Sequence, residues 1–131
     1  MEPAARKQLV GDWIEHYTHQ FAWGTDKVLR PQSLHPYVTD ALDELSRSDA
    51  EAFLEVVLDI VHADQSDDVM MHTAGPLQML IETEPDCVLE RVEALAATDP
   101  QFRKLLEWFL PSEPHNEVWS RVRRAAGEVP W

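Results

Sequence analysis

A chain of 131 residues with 44% apolar residues is long enough to bury its own core without a disulfide or a metal. Its single cysteine, Cys87, excludes an intramolecular disulfide and fits a reducing, cytoplasmic compartment. No run of about 18 apolar residues could cross a membrane, and Asp12, Glu15 and His16 interrupt the one stretch resembling a leader.

The net charge of −13 is unevenly placed. Residues 1–35 balance, whereas residues 36–99 hold sixteen acids against Arg47 and Arg91 alone. Such a segment repels phosphate backbones, which disfavours nucleic-acid binding. It suits a basic protein partner, or simply solubility.

In chain order, Leu9, Val10, Trp13, Ile14, Tyr17 and Phe21 recur at helical spacing and predict a first helix over Pro3 to Phe21. Gly11 inside it costs on the order of 1 kcal/mol against alanine. Gly24-Thr25-Asp26 breaks the pattern, and Trp23 to His35 reads as a loop. Pro36 suits the first position of a second helix, with Val38, Ala41, Leu42 and Leu45 as its apolar face and an end near Arg47. Ser48 and Glu51 then have capping-box spacing. Ala50, Phe53, Leu54, Val57, Leu58 and Val61 follow the helical repeat without a miss.

A short helix through Val69, Met70 and Met71 is expected to stop at Ala74 or Gly75, and Pro76 to open another over Leu77 to Ile81. Thr83 and Thr98 read as caps of the next two helices. Their apolar faces are Val88, Leu89, Val92, Leu95 and Ala96, then Phe102, Leu105, Leu106 and Phe109. Pro111 and Pro114 precede a last helix with Val118, Trp119, Val122 and Ala126 on one side, ended by Gly127.

The expectation is a single all-α domain over residues 1–131, a compact bundle of six to seven short helices. Helix pairs recurring every 30–36 residues also permit a HEAT-like stack of helical hairpins. Aromatic residues gather near both ends: Trp13, Tyr17, Phe21 and Trp23, then Phe102, Trp108, Phe109 and Trp119. That predicts the first helix packed against the last two.

Ala74-Gly75-Pro76-Leu77 followed by Leu80 resembles the central A-G-P-L-E-x-L-L motif of a family of small uncharacterised bacterial proteins, a domain of unknown function. Val92-Glu93, Asp99 to Arg103 and Val118 to Val122 extend the likeness over roughly residues 50–124. The resemblance implies a helical fold and no particular activity. Gln78 stands where the motif has an acid, so any chemistry of that acid is in doubt here.

Candidate chemistry is sparse. Glu15, His16 and His19 share a helix, and Asp59 with His62 forms one i, i+3 pair, but a metal needs more ligands than either supplies. His72 before Gly75-Pro76 could sit beside amides at a helix start and suit an anion, but a structural helix stop and start explains the words better. Cys87 reads as a partly buried thiol without a base. No phosphate-binding loop, nucleophile elbow or dinucleotide fingerprint occurs. Arg121, Arg123 and Arg124 read as the cationic last turn of a helix.

The acidic strip Glu51, Glu55 and Asp59, with Asp64, Asp67 and Asp68, is the candidate partner-binding surface. The leading expectation is a non-enzymatic, cytoplasmic interaction protein without cofactor or metal, bound to a basic partner, with an immunity or antitoxin-like protein as its specific form. The alternative is a metal-binding or enzymatic helical domain using His16, His19, His62 or His72. A third reading is self-association through the aromatic ends.

Overall fold

The computed structural model describes residues 1–20 and 35–127, apart from the side chains of residues 19 and 20. Seven helices form among them: α1 (Pro3–Gln20), α2 (Tyr37–Ser48), α3 (Ala50–Ala63), α4 (Asp67–Thr83), α5 (Pro85–Thr98), α6 (Pro100–Leu106) and α7 (Glu117–Ala126). The expected loop over 23–35, with Phe21 and Trp23, lies outside the described residues, as does the His19 side chain.

Helix α3 follows its apolar repeat and then exceeds it. Phe53, Leu54, Val57 and Val61 are buried as the spacing requires, and so are Val56 and Ile60. The wider buried face arises because α1, α2, α4 and α6 all pack on α3.

Helix α4 corrects the reading of the Ala74-Gly75-Pro76-Leu77 motif. The chain does not stop and restart there; one helix runs from Asp67 to Thr83 with Pro76 inside it. An interior proline costs about 3 kcal/mol because it lacks the N–H of the ladder. Val69, Met70, Leu77, Leu80 and Ile81 are buried on the same helix, at about 1.5–3 kcal/mol each. That burial outweighs the proline. Gly75 is exposed, and a Cβ there would meet nothing within 4 Å. It is therefore not a close-packing glycine.

The caps are shifted by one residue from their expected places. Asp49, not Ser48, caps α3 by accepting from the Ala52 amide at 3.1 Å. Asp99, not Thr98, caps α6 through the Gln101 and Phe102 amides. Thr83 and Thr98 end the preceding helices, and their hydroxyls donate back to the Met79 and Ala94 carbonyls. Pro36 likewise precedes α2 instead of opening it. Asn116 caps α7 through the Trp119 amide, and Gly127 ends it at φ +89°, where glycine carries no Cβ penalty.

The packing is a bundle around α4, which touches α1, α2, α3, α5 and α6. In a linear stack each unit meets only its neighbours. The predicted union of α1 with the last two helices is not the arrangement found. Helix α1 lies on α2, α3 and α4, while α7 lies on α5 and α6. The aromatics form two separate groups: Trp13 packs against Tyr17, and Phe109 meets Trp119 edge-on at 5.5 Å. No helix among the described residues is long and apolar enough to cross a membrane.

Candidate functional site

Glu51, Glu55 and Asp59 recur every four residues on α3 and share one face. That face is bracketed by cations from two other helices. Arg6 of α1 reaches Glu55 at 2.9 Å and Asp59 at 2.6 Å. Arg91 of α5 reaches Glu51 at 2.8 Å. Each acid of the strip is thus paired within the fold, three carboxylates against two guanidiniums.

Asp64, Asp67 and Asp68 sit apart, at the α3–α4 turn. Asp64 accepts from the Ser66 amide at 2.8 Å. Asp67 and Asp68 occupy the first turn of α4, where the helix dipole favours them. None of these three forms an ion pair with a described residue. The six acids therefore divide into a compensated half and an open half.

The histidines do not converge on one centre. His16 of α1 accepts the His35 amide on Nδ1 at 3.1 Å. Its ring lies edge-on to Tyr17, and Tyr17 stacks on His72 with centroids 4.2 Å apart. The His72 Nδ1–H donates to the Asp68 carbonyl at 2.8 Å. Burial, with His35 and His72 nearby, holds the His16 imidazole below its ordinary pKa. His35 also lies 3.3 Å from Glu15 and 3.6 Å from Asp12. Asp12 in turn accepts from the Tyr37 hydroxyl, which is pushed up to about 12, first by desolvation and then by that bond.

His62 is paired with Asp99 of the α6 cap, at 2.6 Å, and not with Asp59, which belongs to Arg6. Among the described residues no group of three or more histidine, cysteine, aspartate or glutamate side chains is arranged to hold a metal.

Sequence reasoning missed a groove of about 740 Å³. It lies where the α2–α3 junction faces the α4–α5 junction, between Asp43, Arg47 and Ala50 on one side and Met79, Glu84 and Cys87 on the other. Cys87 is exposed there, a correction to the partly buried thiol expected, with its Sγ 3.9 Å from a Glu84 oxygen. Met79 is 61% exposed. The signal was Met79 and Thr83 at i and i+4 beside Leu80, one face of a single helix. It becomes visible only once α4 is continued through Pro76.

These features define an all-α helical bundle with an acidic surface and a partly apolar groove. The chain belongs to a family of unknown function (DUF6869), whose model matches residues 16–129. No curated protein and no solved structure matches the chain.

Proposed function

We propose that the protein is a non-enzymatic, cytoplasmic interaction module that binds a basic protein partner. The supporting observation is the distribution of acids without cations. Arg47 and Arg91, the two bases of residues 36–99, are already engaged by Asp43 and Glu51. Asp67, Glu82, Glu84 and Asp86 remain exposed without an ion pair among the described residues. A partner carrying lysines and arginines would be steered to these acids and would supply the missing charges.

The histidines support the same reading, because His16, His62 and His72 each serve a contact that holds helices or caps in place. A more specific form is an immunity or antitoxin-like protein that covers the basic surface of a toxin domain.

The test is recovery of the tagged protein from cells that make it naturally, at salt from about 0.1 to about 1 M, where screening shortens from about 10 to about 3 Å. The expected result is a stoichiometric basic protein released as salt rises, with slower association for the Asp67→Lys/Asp68→Lys variant. Salt-independent capture, or association unchanged in that variant, overturns the reading.

A further inference from the structure

We infer that the groove between the α2–α3 and α4–α5 junctions docks the apolar face of a basic amphipathic helix from a protein partner; this rests on the basic-partner reading above. The groove has an apolar floor and an acidic edge. Ala50 and Leu80 form its base, and Met79 projects into it. Methionine is unbranched and polarisable, so it moulds to whatever apolar surface arrives. The volume, about 740 Å³, lies within the roughly 300–1,000 Å³ of pockets that bury small ligands.

Charge selects the occupant. Arg47, the one base lining the groove, is held by Asp43 at 2.7 Å. Glu84 lines the opposite wall, and the exposed Asp86 precedes the lining Cys87 in the chain, neither paired with a cation among the described residues. Cationic residues beside an apolar stripe complement that edge. The walls are helices, and the described residues include no strand to which an extended peptide could add, so recognition is of the helix-in-groove kind. A second copy of this chain is disfavoured by its own charge of −13.

Cys87, the chain's only cysteine, provides the readout. A trifluoromethyl label on its sulfur reports the groove by fluorine NMR. The probe is a synthetic leucine–lysine peptide patterned as an amphipathic helix, compared with the same composition in scrambled order. The patterned peptide is expected to shift the signal and saturate, and the scrambled one to bind at least about tenfold more weakly. Met79→Glu, at an exposed position, is expected to weaken the patterned peptide at least about tenfold, as loss of an anchor does. Glu84→Lys/Asp86→Lys is expected to remove most of the salt dependence.

Equal binding of both peptides, an unaffected Met79→Glu variant, or no binding at all overturns the inference. So does a signal that moves with protein concentration alone, which assigns the groove to a second copy. If salt-sensitive binding survives Met79→Glu, the basic-partner reading stands and only the groove is wrong.

Discussion

Gln78 on α4 is bonded to the backbone of Leu110 in both directions. The Leu110 N–H donates to Oε1 at 2.9 Å, and Nε2 donates to the Leu110 carbonyl at 3.1 Å. Leu110 is 83% exposed, so backbone bonds, and not burial of its own side chain, tie this residue to α4. Only an amide both accepts and donates in this way. Gln78→Glu keeps the acceptor but sets a carboxylate against a carbonyl and against Glu82, which now accepts from Nε2. The expected cost is about 1 kcal/mol in urea unfolding, with faster amide exchange at Leu110. Unchanged exchange there would refute it.

Thr73 joins α1 to α4 in the core. It accepts from Trp13 Nε1 at 3.0 Å and donates to the Val69 carbonyl at 2.7 Å, fully buried. Thr73→Val preserves shape and strands the indole N–H, for an expected loss of about 1–3 kcal/mol. Thr73→Ser keeps the hydroxyl and is expected to lose less. Denaturation midpoints of the pair separate the hydrogen bond from packing; equal losses would assign the effect to packing.

Three carboxylates make the fold acid-sensitive. The Tyr37 hydroxyl and Gln8 hold Asp12 below the usual range, and Arg121 holds Glu93 there. At Asp99 burial pushes upward, but the Phe102 amide, His62 and the Gln101 amide outweigh it and the pKa falls. A carboxyl with a depressed folded-state pKa stabilises above its unfolded value of about 4 and loses that contribution as pH falls through the folded value. Thermal midpoints are therefore expected to drop below about pH 4. Asp99→Ala is expected to flatten part of that dependence and to cost about 1 kcal/mol at neutral pH as a lost cap.

His16 has the same sign for a different reason. Its pKa is depressed chiefly by burial, so its stabilising contribution is complete above the unfolded value of about 6.5 and is lost as pH falls through the folded value. Protonation of Nδ1 also removes the acceptor for the His35 amide. An NMR titration is expected to show His16 with a midpoint below about 6.5 and the His35 amide signal moving with it. A midpoint at or above the ordinary value would contradict the placement.

Arg6 masks part of the acidic strip. Its side chain is about one-third exposed, so Arg6→Ala is expected to cost only about 0.5 kcal/mol after solvent screening. The larger effect is on recognition: Glu55 and Asp59 become uncompensated, and association with a basic partner is expected to accelerate at low salt. Stopped-flow rates test this; a slower rate would show that Arg6 itself contacts the partner.

Local pattern carried the helices, and tertiary context decided what the pattern could not. Phe53, Leu54, Val57 and Val61 were legible because their spacing alone places them on one face. Pro76 misled because its cost is local while the burial that offsets it comes from five neighbouring helices. Thr83 and Thr98 misled because a hydroxyl can cap forward or bond backward, and Asp49 and Asp99 take the caps beside Ser48 and Thr98. The strip on α3 was readable as a face, but its partners Arg6 and Arg91 lie 49 and 40 residues away. The open half of the acids and the groove emerge only when such long-range pairs are known.

The family match begins at residue 16, within α1. Leu9 and Trp13, both buried, precede that boundary on the same helix. A shortened chain cut to the match would lose the indole that covers Thr73, the arginine that bridges Glu55 and Asp59, and the helical turns leading into Tyr17. It would retain every residue the family model covers and yet be missing one wall of its core. Expression trials that trim to family boundaries are thus expected to yield an aggregating fragment, while chains begun at Met1 remain folded.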